Sequence, residues 1–347
     1  MRQERVLWID YAKAVAIFNV VLLHVGVPDP YKGIVRVFLI PLFFFLSGIF
    51  SNPERYRNLY EFTKQKILRI LIPYIFFNVV TYLFWLLIGR NYGLDSEFNT
   101  SPIGPLKGIV LGMYKLMTHY VPLWFIACLI SVEILHYIVF KHIKTIRSTI
   151  FALLSFITIG YLNYTFNKQS LPWGIDIAFS MIVFYVAGGK AKRILLTQQN
   201  NNLKLVVIAV LSFTVVYLMY KLNSEVKVFT NYFGNYFLFY IGAFSGIIFS
   251  VALFKLIENF SKPIGFLLYI GKNTLIILAL HLIASSLLKA ILIYVIGLDY
   301  TQYEGTTLYS LIFSSICIII LAPAIYILNR HLPFAIGKIK TSPAISK

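Results

Sequence analysis

A chain of 347 residues that is 59% hydrophobic, 17% aromatic and only 13% charged departs far from a soluble domain, in which about a quarter of residues carry charge, and reads as a polytopic membrane protein. The net charge of +18 does not point to nucleic acid: the basic residues fall in short clusters between apolar runs and form no continuous groove or arm, so they read as topology signals and lipid-headgroup contacts. Cys128 and Cys317 both lie within apolar runs, which argues against a disulfide framework or a thiolate metal site and for small buried apolar residues.

In chain order, runs of about 20 mainly apolar residues predict ten spanning helices, over 6–26, 34–50, 67–88, 121–140, 148–164, 174–189, 204–222, 236–256, 264–288 and 306–328. The first is preceded by Arg2 and Arg5, as a signal peptide would be. Asp10 and Lys13 interrupt its core and no small-residue cleavage site follows, so it is expected to be retained. The fifth is the weakest, short and ending in Asn163 and Tyr164; without it the count becomes odd and the C-terminus changes sides. The longest connection, 89–120, carries Pro102, Gly104, Pro105, Gly108 and Gly112 with an apolar patch at 109–113, the composition of a re-entrant lid whose backbone protein or water must satisfy. The expected organisation is one transmembrane domain over 1–330 and a short basic tail over 331–347, all-α, without internal repeats. With the N-terminus inside, twenty of the 31 Lys and Arg residues fall on the cytoplasmic side and nine on the outer side, with Lys13 and Lys272 within the membrane. That bias predicts that both termini are cytoplasmic.

Within these spans the polar residues are few. His24 and His281 lie deep in apolar stretches, each expected near the outer end of its helix, and an ionisable group at that depth marks a functional site by default. Lys13 precedes His24 by eleven positions, which returns to within about 20° on an α-helix, and Asp10 falls about 40° to the other side. Asp10, Lys13 and His24 therefore form a row on one face. At 1.5 Å per residue Lys13 lies about 10 Å and His24 about 27 Å beyond residue 6, and His281 about 25 Å beyond residue 264, so the two histidines are expected at one level. Plainer readings stand beside these: Asp10 and Lys13 as a self-neutralising i, i+3 pair, Lys13 snorkelling to headgroups, and either histidine as a structural interhelical hydrogen bond.

The stretch RVLWIDYAKAVAIFNVVLLH, with a basic residue, ten intervening positions and a histidine, resembles the opening of the membrane acyltransferase 3 family, most closely its fucose 4-O-acetylase-like branch. PLFFFLSG (Pro41 to Gly48), RILIPY (Arg69 to Tyr74), PLWFI (Pro122 to Ile126) and GKNTLIILALH (Gly271 to His281) are similar to further family motifs and follow in family order. The resemblance implies transfer of an acyl group, usually acetyl from acetyl-CoA, onto a hydroxyl of a cell-surface or lipid-linked carbohydrate in the bacterial cytoplasmic (inner) membrane, with the first-helix histidine essential. His24 would act as general base on a poorly nucleophilic sugar hydroxyl, or accept the acyl group itself; the sequence leaves both open. The anionic nucleotide of the donor calls for basic groups at the inner surface. Lys66 and Arg69, helped by Arg55, Arg57 or Lys64, are placed for it, though they also read as ordinary positive-inside residues. Lys13 would lie along the pantetheine arm, which predicts a narrow shaft from the cytoplasm up to His24. Where the family commonly has arginine, this chain has Lys13, without the planar fork.

Weaker expectations concern the remaining polar and small residues. Ser47 and Gly48 either let helices approach closely or line the shaft. Trp124 is an interfacial belt residue or part of an acceptor pocket. His281, Asn273, Trp124 and Arg36 are the expected acceptor contacts, although Asn273 stands about 80° from His281 by helical angle, and Arg36 and Asp176 also read as solvated rim charges. Glu133 and His136, one turn apart, read as an internal polar pair, and no metal is expected. Homo-oligomers or contacts with polysaccharide biosynthesis proteins are compatible with this chain. Two other functions fit a polar shaft or a polytopic bundle: an exporter or flippase of a polysaccharide or lipid-linked sugar, and a non-enzymatic subunit of a polysaccharide synthase.

Overall fold

The computed structural model describes residues 6–92, 101–167, 169–197, 201–223 and 225–338. Of the residues weighed for orientation, Arg2, Arg5, Lys168, Lys340 and Lys347 lie outside the described residues, as does the tail beyond Lys338. Among the described residues the structure is helical throughout, with a single isolated bridge between Lys227 and Tyr232. Among the described residues ten helices are long and apolar enough to cross a membrane: Leu7–Val25, Tyr31–Arg55, Leu59–Asn91, Val121–Phe140, Ile146–Phe166, Pro172–Thr197, Asn202–Leu222, Tyr236–Phe260, Thr274–Ile296 and Thr307–His331. The fold is thus the all-α polytopic bundle that the hydropathy predicts, the weak fifth span included.

Helix α1 (Leu7–Val25) is the axis of the bundle. It is buried on most sides and packs against α3 (Leu39–Ile49), α11 (Tyr236–Phe260), α12 (Gly265–Lys272), α13 (Thr274–Ala290) and α14 (Thr307–Ile320). Its N-terminus has no side-chain cap of its own. Glu258 of α11 supplies one, its Oε1 accepting from the backbone nitrogens of Leu7 at 3.0 Å and Trp8 at 3.3 Å, which satisfies amides that lipid would leave bare. Conventional caps start five other helices: Asn58 for α4 (Leu59–Lys66), Thr145 for α8 (Ile146–Phe166), Asn201 for α10 (Asn202–Leu222), Asn235 for α11 and Thr306 for α14. Helices α8 and α10 lie at the periphery and expose Phe151, Leu154, Val207 and Leu211.

Small residues set the closest approaches, because between helices in lipid association depends on packing rather than on apolar burial. A Cβ on Gly48 of α3 would overlap the carbonyl oxygen of Tyr185 on α9 (Ile175–Thr197), and one on Gly188 of α9 would overlap the carbonyl oxygen of Phe45. The two glycines thus interlock the same pair of helices from opposite sides. Gly271 of α12 meets the carbonyl oxygen of Asp10 in the same way.

Four predicted spans differ in detail. The second, 34–50, is divided at Val37 and Phe38 into α2 (Tyr31–Arg36) and α3. The segment 264–288 is not one helix: it breaks at Asn273, whose backbone (φ −118°, ψ 20°) is not helical, and the crossing helix begins at Thr274 and continues through a π turn, Ile291–Ile296. His281 consequently sits in the middle of α13 rather than near the outer end of a long helix, and the straight-helix depth does not apply to it. The third span begins earlier, as α4 (Leu59–Lys66), and passes through a π turn (Ile67–Leu71) into α5 (Ile72–Leu87). The tenth is divided at Leu321, just before Pro323, into α14 and α15 (Ala322–His331), because proline cannot donate to the preceding turn. In the long connection, α6 (Ile103–Leu111) is held to α5 by the Tyr74 hydroxyl, which donates to the carbonyl of Ile109 at 2.7 Å.

Gly48→Leu is expected to drive α3 from α9 and to cost about 1–3 kcal/mol. Thermal unfolding of the detergent-solubilised protein, followed by size-exclusion chromatography, should fall by several degrees, with Gly48→Ala falling less. An unchanged midpoint for the leucine variant contradicts the interlock.

Candidate active site

On α1 the residues Lys13, Ile17, Val20 and His24 follow one another at intervals of four, three and four, the spacing of a single helical face. All four line one cavity of about 280 Å³. Its other walls are apolar, among them Ile40, Phe43 and Leu46 of α3, Ile70 of the π turn, and Leu275 and Leu278 of α13. Arg69 and Ser47 also reach it, and Trp124 and Pro122 line it with His24. Ser47 faces the cavity while its neighbour Gly48 makes the helix contact, so adjacent residues serve the two roles that the sequence offered for the pair.

A second, polar cavity of about 680 Å³ adjoins the first. Lys13 and Thr274 line both cavities. The second is bounded by Asp10, Lys272, Arg330 and Lys338, with Tyr269, Asn273, Tyr326 and Asn329. Its amides are cross-linked: Asn329 Nδ2 donates to Asn273 Oδ1 at 2.8 Å, and Lys338 Nζ donates to Asn329 Oδ1 at 2.5 Å. Four cations against one carboxylate make it an anion-attracting bowl, and the apolar cavity that shares Lys13 and Thr274 with it has the His24 imidazole in its lining.

The histidines meet, their ring centroids 4.8 Å apart at an angle of 63°. His24 Nδ1 lies 2.7 Å from the carbonyl oxygen of Val20. A carbonyl only accepts, so in the neutral ring Nδ1 carries the proton and Nε2 keeps its lone pair. His24 is exposed, whereas His281 is 1% exposed and does not line the cavity. His281 Nδ1 is fixed by the carbonyls of Ile277 at 3.0 Å and Leu278 at 2.9 Å, with the Tyr120 hydroxyl 3.2 Å away. That hydroxyl donates to Leu278 O and accepts from Leu282 N. His281 therefore stands behind His24 as a fixed support.

The other expected site residues are placed elsewhere. Lys66 does not face the cavity; it pairs with Glu133 at 2.8 Å. Asn273 lines the bowl and not the neighbourhood of His281. Arg36 forms an ion pair with Glu225 in a separate polar pocket with Asp29 and Tyr220; there Lys227 above all, then Arg36, holds the Glu225 carboxyl below its ordinary range. His136 does not pair with Glu133 but contacts Ser51 at 3.3 Å. Lys13 also lies 4.7 Å from the centroid of the Phe50 ring. Among the described residues no group of three or more His, Cys, Asp or Glu is placed to hold a metal ion. Arg330 and Lys338 were legible only as topology charges, Lys272 only as an intramembrane lysine, and Tyr120 only as one loop aromatic among many, because their roles come from helices distant in sequence.

No curated protein and no solved structure matches the chain. The family model described as an acyltransferase domain matches residues 6–328, a range that contains α1 with His24, the whole lining of the apolar cavity and every crossing helix up to the last turn of the tenth. The chain therefore belongs to the membrane acyltransferase 3 family.

Proposed function

We propose that this membrane acyltransferase moves an acetyl group from cytoplasmic acetyl-CoA to a hydroxyl of a cell-surface or lipid-linked carbohydrate at the bacterial cytoplasmic membrane, with His24 as the reacting base. The observation that carries the reading is that two neighbouring cavities share Lys13 and Thr274 in their walls, one of them lined by basic residues and the other by His24. The bowl suits the phosphates of the nucleotide, with Lys272, Arg330 and Lys338 as its cations and Lys13 at the throat. The basic excess on the side of the Leu7 end supports a cytoplasmic bowl. The apolar cavity suits the thin pantetheine arm, with Arg69 in its lining.

At the far end, Nε2 of His24 takes the proton from the acceptor hydroxyl, whose oxygen attacks the thioester carbonyl carbon. The C–S bond breaks, the ester forms, and the proton passes from the imidazolium to the leaving sulfur, giving free CoA. The lone pair that this step needs is the one left by the Nδ1–Val20 hydrogen bond. The same lone pair serves an acyl-imidazole route, which trapping of an acylated protein in the absence of acceptor distinguishes from direct transfer. Apolar walls argue against export of the sugar through this passage, because each buried hydroxyl without a partner costs about 1–3 kcal/mol.

His24→Ala, at equal membrane level, is expected to lower acetylation of the surface glycan about a hundredfold or more, with glycan export intact. Unchanged acetylation would remove His24 from the chemistry, and loss of export would favour the exporter reading. A second variant tests the passage: Leu278→Trp fills it without touching the bowl or the His24 hydrogen bond, and should abolish transfer while CoA binding to purified protein persists. Full activity in that variant would mean that the thioester travels by another route.

A further inference from the structure

The sequence places Lys66 and Arg69 three positions apart, and on a regular α-helix such residues share a face. In the structure they part. Arg69 lines the cavity, whereas Lys66 turns to α7 (Trp124–Phe140), where its Nζ lies 2.8 Å from Glu133 Oε2. Both side chains are largely withdrawn from solvent, at 20% and 10% exposure. Glu133 also accepts from the Tyr185 hydroxyl at 3.2 Å, and the Lys66 ammonium lies 5.6 Å from the Phe62 ring centroid and 5.9 Å from that of Tyr56.

Between Lys66 and the α5 helix runs the π turn Ile67–Leu71, whose i→i+5 spacing widens the turn and rotates successive side chains away from their α-helical directions. Pro73 lacks the amide that would bond the Arg69 carbonyl in an α-helix. That carbonyl is met instead by Gly337, where a Cβ would overlap it and where φ is +69°. The turn bearing Arg69 is thus pinned on one side by an ion pair and on the other by the returning chain after α15.

A buried ion pair is weak evidence for stability, since apolar replacement of both partners is often neutral, and its best-attested use is to fix register. We propose that the Lys66–Glu133 pair is a positioning device for the donor: it holds the π turn in the register that presents Arg69 to the acyl-CoA passage, and Lys66 itself does not contact the donor. This rests on the acyl-CoA reading above. It assigns to Glu133 and Lys66 an effect on donor affinity that they exert only through Arg69.

The test uses the full chain in nanodiscs. Lys66→Met with Glu133→Leu removes both charges together, which avoids stranding one in the interior. Titration with acetyl-CoA should give a dissociation constant raised about tenfold, at an unchanged elution profile. Arg69→Ala alone should weaken binding similarly and add little in the paired background, and the swapped pair Lys66→Glu with Glu133→Lys should recover part of the affinity. Wild-type affinity in the apolar pair, or effects of Arg69→Ala that multiply in full, would overturn the proposal. A readout independent of CoA reports the turn itself: Arg69→Cys, with Cys128 and Cys317 replaced by alanine, should be alkylated by a cationic thiol reagent several-fold more slowly in the apolar-pair background. Failure of the wild-type protein to bind acetyl-CoA would sink the donor reading, and the alkylation rates would still decide whether the pair sets the turn: equal rates refute it.

Discussion

The structure depends on one helix keeping a polar face across an apolar slab. Because an α-helix closes its backbone hydrogen bonds within itself, it can carry side chains to fixed depths in a membrane, and α1 uses this to place Lys13 and His24 on one wall of one cavity. Its surroundings hold it there: Glu258 closes its first amides, Gly271 brings α12 against the Asp10 carbonyl, and α3, α11, α13 and α14 pack around it. The bundle is built to keep that face in place, and the reactive lone pair of His24 follows from a bond within the same helix, to Val20.

The two histidines illustrate how the same side chain takes different work from different settings. His24 is open to the cavity and bound once; His281 is buried, its Nδ1 shared among two carbonyls and the Tyr120 hydroxyl, and its Nε2 has no hydrogen-bond partner among the described residues. A ring fixed so firmly, 4.8 Å from its neighbour, restricts the rotamers open to His24. Catalysis benefits from such restriction because a base is useful only when its lone pair already points at the proton to be taken.

What was legible in the sequence follows from what a helix alone determines. The ten crossings came from apolar length, and the Lys13–His24 wall from the eleven-residue spacing, since both depend only on residues of one segment. The family motifs carried the fold and the general chemistry further. What failed were inferences that carried α-helical geometry across a break in the helix. The π turn after Lys66 separated it from Arg69, and the break at Asn273 moved that residue into the bowl, away from His281. The bowl itself was hidden, because Lys13, Lys272, Arg330 and Lys338 come from three widely separated parts of the chain, with Arg330 and Lys338 reading singly as topology charges. Glu258 was silent for the same reason: a cap donated by another helix leaves no local signature.

The central claim is that an acyl thioester enters from the basic bowl and ends beside His24. A structure of the protein in nanodiscs with a non-hydrolysable acetyl-CoA analogue measures this most directly. The account predicts the nucleotide among Lys272, Arg330 and Lys338, the arm along Ile17 and Val20, and the acyl carbonyl within about 4 Å of His24 Nε2, with room for an attacking oxygen. A nucleotide seated elsewhere, or an arm that leaves His24 unapproached while the passage stays empty, would contradict it.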